Sequence, residues 1–239
     1  AAAVLGGVVF SGILSTVDYT TALGERRVVT LTDGSRVTLD SASEVKVRYT
    51  RDARRLELLR GQARFDVAHN VMRPFSVKVG GETVVATGTA FNIDLLGPKV
   101  FVTLIEGHVS VLGARPEPRT AATGRRPVPR PEPIALSAGQ QLVAAQTGGV
   151  NVRSANLDRT TAWEAGQLVF EDEPLGSVAA RISRYTASPV SVDPSVADLR
   201  VSGVFNAGDL TTFVDTVTHY LPVQASDQPD GAVVLRRKG

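Results

Sequence analysis

Between Arg26 and Leu112 apolar and polar residues alternate in short runs rich in Val, Thr and Leu, broken by turn residues every eight to twelve positions. A period of two places successive side chains on opposite faces, so each run predicts a half-buried strand. Val28–Thr32 and Arg36–Leu39 flank Asp33-Gly34, where glycine supplies the positive φ of a tight hairpin. Val45–Val47, Leu56–Leu58, Phe65–Val67, Phe75–Val79, Thr83–Ala86, Phe91–Leu95 and Val100–Leu104 continue the series, and Ile134–Leu136 with Gln140–Val143 rejoin it later. Many short strands in succession predict an all-β sandwich or a solenoid-like stack.

After Asp158 the period changes. Phe170 and Phe205, Leu175 and Leu210, Val178 and Phe213, Ile182 and Val217, and Tyr185 and Tyr220 match at one offset of 35 residues, which marks an internal repeat. Each unit reads as strand, helix, strand: Gln167–Phe170, Pro174–Thr186 and Val190–Val192, then Arg200–Phe205, Asp209–Leu221 and Val233–Leu235. Leu175, Val178, Ala179 and Ile182 form one helical stripe, and Leu210, Phe213, Val214, Val217 and Leu221 form the other. Pro174 suits a first helical turn, while Asp172, Glu173 and Asp209 suit the positive end of a helix dipole. Burying about ten such side chains at roughly 1.5–3 kcal/mol each predicts a small βαβ-βαβ domain able to fold separately.

Three segments lie outside both patterns. Ala1–Val17 carries no charge and is almost wholly small or apolar to Leu14; it reads as a truncated transmembrane helix, with a signal-peptide remnant or a buried arm as alternatives. Gly113–Pro133 is rich in Pro and Arg, with Val128 as its one large apolar residue. It reads as a solvated insertion between two strands rather than a docking peptide. Gly148–Asp158 reads as a linker. The expected class is therefore α+β, with a truncated helix at 1–17, a β domain at 18–147 containing the insertion 113–133, a linker at 148–158 and the repeat domain at 159–239.

Composition narrows the chemistry. The chain of 239 residues has 43% hydrophobic and 21% charged residues, as globular proteins do, and it lacks cysteine, which removes disulfides and thiolate chemistry. A net charge of +2 does not argue for nucleic acid. His69, His108 and His219 have no partners at metal-ligand spacing, and no nucleophile elbow, phosphate loop or carboxylate pair occurs. His219 lies opposite the Leu210–Val217 stripe and reads as solvated. Arg51, Arg54, Arg55, Arg60 and Arg64 form a basic cluster. It reads as the solvated edge of two strands, with Arg60 and Arg64 sharing a face, in preference to a lipid head-group site. Glu164–Asp230 holds ten acidic residues against Arg181, Arg184 and Arg200, which suits a basic protein partner or simple solubility. Aromatic residues make up 5% and Trp163 is the sole tryptophan, too few for a carbohydrate-stacking sandwich.

The ordered series Leu31–Leu39, Arg60–Val67, Arg73-Pro74-Phe75, Gly88-Thr89-Ala90-Phe91, Glu106-Gly107 and Ala138-Gly139-Gln140 resembles the FecR family of bacterial sigma regulators. Trp163 followed by Gly166–Phe170 resembles the start of that family's C-terminal domain, itself similar to the short signalling domain of secretins and TonB receptors. The resemblance implies a single-pass inner-membrane protein with this chain mostly in the periplasm. Its implied partners are the signalling domain of an outer-membrane TonB-dependent receptor, envelope proteases, and an extracytoplasmic-function sigma factor reached through a cytoplasmic part. No cofactor is implied. Some family members cleave themselves at a bond matching Gly88-Thr89, where the Thr89 hydroxyl would attack the Gly88 carbonyl with Glu106 or His108 assisting proton transfer. A bland role for the pair, a bend and a strand residue, is equally open. A different class of function, a secretin-like scaffold adaptor, would show concentration-dependent rings in size-exclusion chromatography.

Overall fold

The computed structural model describes residues 13–113, 132–145, 149–229 and 231–239. Over the first two thirds the alternating runs become β1 (Ile13–Thr20), β2 (Arg27–Thr30), β3 (Arg36–Leu39), β4 (Glu44–Thr50), β5 (Arg54–Asp66), β6 (Phe75–Val79), β7 (Glu82–Ala86), β8 (Ala90–Leu96), β9 (Lys99–Glu106), β10 (His108–Leu112), β11 (Ile134–Ser137), β12 (Gln140–Ala145) and β13 (Val150–Ser154). They form one sheet whose main path is β11-β10-β7-β6-β5-β8-β9-β12-β13, with β1 on β4, β2 on β3, and both β3 and β4 on β5.

β5 makes a single sheet possible. Two predicted strands, Leu56–Leu58 and Phe65–Val67, are the two halves of this one 13-residue strand. Its first half pairs with β4 and β6, its second with β3 and β8. At the turn between halves Gly61 has φ +82, and a Cβ there would lie 2.7 Å from the Cα of Ser43. Glycine alone tolerates both the backbone angle and the contact. Ser43 Oγ locks the bend, accepting from Gln62 N and donating to Gln62 O at 3.0 Å each. The sheet thus curls over one apolar core until β11 touches β9 and β12. Phe65 stacks on Phe91 at 5.1 Å and meets Phe75 edge-on at 6.2 Å within that core.

A second cluster of buried apolar residues begins with Trp163. Here α1 (Leu157–Thr161) and a 3-10 turn (Ala162–Ala165) lead into β14 (Gln167–Pro174), α2 (Leu175–Ser183), β15 (Val190–Val192), β16 (Arg200–Asn206), α3 (Leu210–Tyr220), β17 (Val223–Asp227) and β18 (Val233–Arg237). The α2 stripe of Leu175, Val178, Ala179 and Ile182 is buried throughout. On α3 only Phe213 and Val217 are buried; Leu210 and Val214 are half-buried, and Leu221 lies just past the helix end.

Several expectations require correction. The repeat does not form βαβ units: β14 pairs antiparallel with β16, whereas β15 lies parallel to β18 in a separate sheet with β17. The two first strands pair with each other, so each helix covers the shared sheet instead of crossing between parallel neighbours. Shifted by the 35-residue repeat, Val190–Val192 falls on Ala225–Asp227, within β17; β18, expected as the closing strand of the second unit, is an added strand inserted between β15 and β17. The truncated helix at 1–17 is a strand from Ile13 onward, because Thr16, Val17 and Tyr19 favour extended backbone and pair with Arg48, Val47 and Val45. Residues 1–12 lie outside the described residues, and no helix among the described residues is long and apolar enough to cross a membrane. The 148–158 linker contains β13, bound along β12, and Asn156, whose side chain caps α1 by accepting from Arg159 N at 3.1 Å. The core of the Pro-rich insertion, 114–131, lies outside the described residues; the strands that flank it, β10 and β11, pair antiparallel.

Candidate functional site

The Gly88-Thr89 bond lies in the short connection between β7 and β8. Residues 67–70 run beside it, with Val67 N donating to Thr89 O and Asn70 N donating to Thr87 O, both at 2.9 Å. This pairing sets His69 opposite Gly88. Gly88 has φ +157, and a Cβ on it would lie 2.5 Å from His69 Nδ1. The bond therefore sits in a backbone conformation that residues with a side chain rarely adopt, against an imidazole that a side chain would displace. From the other side Gly107, φ +85, closes on the pair: a Cβ there would meet Thr89 Cγ2 at 2.8 Å and Gly88 O at 3.1 Å. Thr89 is 7% exposed, and its hydroxyl has no hydrogen-bond partner among the described residues. A buried hydroxyl left unpaired is costly, and a nucleophile is the kind of group for which that cost is kept.

Asp66, His69 and Glu106 line the open crevice over the bond. Of the two residues expected to assist, Glu106 is therefore present, while His108 opens β10, exposed and paired in register with Ser137, and is not among the lining residues. His69, the residue that faces the bond, carried no signal in the sequence beyond being a histidine. Its place depends on the pairing of two loops that only the folded sheet brings together.

A buried clamp holds the His69 segment. Arg54, with a fully buried side chain, donates from Nη1 to Asp33 Oδ2 at 2.6 Å and to Ala68 O at 3.0 Å, from Nη2 to Asn70 O at 3.3 Å, and from Nε to Arg73 O at 2.8 Å. It thus grips the carbonyls on both sides of His69. Ser35 Oγ accepts from Ala68 N at 3.0 Å while donating to Asp33 Oδ2 at 2.7 Å, and Tyr49 OH donates to Asp33 Oδ1 at 3.0 Å. Burial alone would raise the Asp33 carboxyl, but the hydrogen bonds from Ser35, Arg54 and Tyr49 outweigh it and hold the group below the usual carboxylate range.

The basic cluster therefore does not act as one surface. Arg54 is internal, Arg60 pairs with Glu44 at 3.3 Å, and Arg64 bridges Asp66 at 2.9 Å and Glu164 at 3.1 Å; Arg51 and Arg55 are exposed. Arg60 and Arg64 lie on either side of the Gly61 bend and take different acidic partners.

Arg64–Glu164 belongs to a larger seam between the two apolar clusters. Arg184 donates to Asp94 Oδ1 at 2.6 Å and to Gln62 Oε1 at 3.0 Å, and Arg181 donates to Asp94 Oδ2 at 3.2 Å and to Glu173 Oε2 at 2.7 Å. Tyr185 OH donates to Asp40 Oδ2, and Ser41 Oγ donates to Arg184 O at 2.6 Å. Burial would raise Asp94, but the guanidinium groups of Arg184 and Arg181 reverse this and hold it low. Asp40 follows the opposite course: burial outweighs Tyr185 and Arg184 and pushes its carboxyl up to about 6. Arg181 and Arg184, counted from the sequence as surface charge, are thus turned inward against the first sheet. His219 is exposed on α3 and meets the Tyr220 ring at 4.7 Å. Among the described residues no group of three His, Cys, Asp or Glu could hold a metal ion.

With this geometry in place, comparison identifies the sheet. Residues 17–110 match the family profile described as FecR protein. Two crystal structures of a candidate anti-sigma factor from Parabacteroides distasonis share the fold at a TM-score of 0.78 and 22% identity, covering 94% and 93% of this chain and 100% of theirs. No curated protein matches.

Proposed function

We propose that this chain, which carries a FecR domain across residues 17–110, is a FecR-like envelope regulator that works by binding other proteins. One observation carries the reading: a FecR domain and a repeat-containing C-terminal module occur together in a fold shared along nearly the whole chain with a candidate anti-sigma factor. In this reading the bulk of the chain lies in the periplasm, anchored at the inner membrane. The C-terminal module meets the signalling domain of an outer-membrane TonB-dependent receptor, and the signal passes to an extracytoplasmic-function sigma factor. The module offers the means. β14 and β16 form a two-stranded sheet, and β15 and β17 flank β18, so several strand edges have unfilled backbone donors and acceptors. Titration calorimetry of the full chain with the signalling domains of the TonB-dependent receptors of the same organism tests this: saturable one-to-one binding to one of them is expected, and absence of binding to all overturns it.

Self-cleavage at Gly88-Thr89 is the second part of the proposal. The Thr89 Oγ1 attacks the Gly88 carbonyl carbon, the C–N bond breaks, and the hydroxyl proton ends on the released Thr89 nitrogen. Water then hydrolyses the ester, yielding a Gly88 carboxylate and restoring the Thr89 hydroxyl. The support is the unusual Gly88 backbone angle together with the unpartnered Thr89 hydroxyl. Purified chain should run as two fragments on a denaturing gel, with Thr89 as the new N-terminus, and hydroxylamine should hasten the conversion by trapping the ester. Thr89→Ala should remain one band. A wild-type chain that stays intact, with or without hydroxylamine, overturns this part.

A further inference from the structure

We infer that His69 is the proton-transfer residue of the Gly88-Thr89 rearrangement, an inference that rests on the self-cleavage reading above. In that rearrangement a proton must leave a hydroxyl and reach an amide nitrogen that becomes a leaving amine; neither group exchanges protons readily near neutrality. The geometry supplies a carrier. His69 is held opposite Gly88 by hydrogen bonds at both ends of its segment, and its Nδ1 occupies the space where a Gly88 side chain would be. The Thr89 hydroxyl, which lines the same crevice, has no hydrogen-bond partner among the described residues and so is free to meet an incoming base. Nδ1 takes the proton from Oγ1 as the C–O bond forms and returns it to the Thr89 nitrogen as the C–N bond breaks. No co-reactant other than the hydrolytic water is consumed.

Two features separate this assignment from mere packing. First, the clamp is built around this residue: Arg54 binds the carbonyls of Ala68 and Asn70, the residues on either side, and Ser35 binds the Ala68 amide. A solvent loop needs no buried guanidinium, and this one fixes the backbone on either side of His69. Second, the competing bases in the crevice are less suited. Asp66 is engaged by Arg64 at 2.9 Å and so faces another partner, and Glu106 is paired in register with Ala90 at the shift between β8 and β9. Among the described residues no Lys, Arg or further histidine lines the crevice.

The test compares wild type, Thr89→Ala, His69→Ala and His69→Gln in the full chain, following fragment appearance by mass spectrometry across pH. If wild type cleaves and Thr89→Ala does not, the self-cleavage reading stands and His69 is judged separately. His69→Ala should then slow cleavage by about 10²-fold or more, and the wild-type inflexion in the rate–pH profile should vanish. Because the crevice is open, added imidazole should restore much of the rate to His69→Ala but not to Thr89→Ala. His69→Gln, which fills the space without exchanging protons, should stay slow. Cleavage of His69→Ala at the wild-type rate overturns the inference while leaving the reading intact. So does a slow His69→Ala that imidazole fails to rescue and whose rate–pH profile keeps the wild-type shape, since that is the signature of a packing defect. An intact wild-type chain removes both.

Discussion

Gly61 and Gly88 show how one residue type serves two purposes. At Gly61 the missing side chain lets β5 bend beneath Ser43, while at Gly88 it admits the His69 ring. Gly61→Ala forces a Cβ against the Ser43 backbone at a positive φ, so the variant should lose about 1–3 kcal/mol of stability, read from the midpoint of urea unfolding. The neighbouring motif residues Gly88 and Thr89 were legible in the sequence as a pair. What was not legible was their surroundings. The Thr89 hydroxyl has no partner among the described residues, and His69 comes to face Gly88 because residues 67–70 pair with 87–89 across a separation that no local spacing encodes.

At the scale of elements, β5 connects the core to the crevice. Its first residue, Arg54, looked from the sequence like one member of a solvated basic run, yet among the described residues it is the most deeply buried cation, and it ties β5 to the hairpin residue Asp33 and to the segment bearing His69. Removing one partner from such a pair leaves the other charged and unpaired. Arg54→Met should therefore cost about 3–5 kcal/mol by chemical denaturation and raise hydrogen exchange first in residues 68–73. The pH dependence has a definite sign. Asp33 is held below its ordinary value, so its contribution is present above about 4 and is lost as pH falls through its lowered folded value. Periodicity identified the strands flanking this clamp because alternation is a local property. It could not identify β13, whose five residues are all exposed and gain their place only by pairing with β12.

For the whole molecule the decisive feature is the charged seam that joins the two cores. Arg184→Met would leave Asp94 and Asp40 facing each other without the guanidinium that separates them, and should release α2 from the first sheet. Limited proteolysis should then cut between residues 155 and 166 faster than in wild type. The seam should also respond to acid. Asp40 is raised to about 6 from an ordinary 3.8, so its stabilising contribution is full below about 4 and is lost as pH rises through 6. Asp94 is lowered, so its contribution persists above 3.8 and fails only in stronger acid. Docking should consequently be firmest near pH 4 and weaken as pH rises through about 6, measured by hydrogen exchange of α2. Asp40→Asn should flatten that part of the profile.

From residue order alone came the strand periodicity, the 35-residue repeat, the helical stripes and the FecR resemblance, because each depends on neighbours within a turn or a hairpin. The sharing of β5 between two halves of one sheet came only from the fold. So did the separation of β14 from β15, the inward turn of Arg181 and Arg184, and the meeting of His69 with Gly88. Those features depend on which distant segments exclude water from each other, and a charge or a glycine takes its role from what then surrounds it.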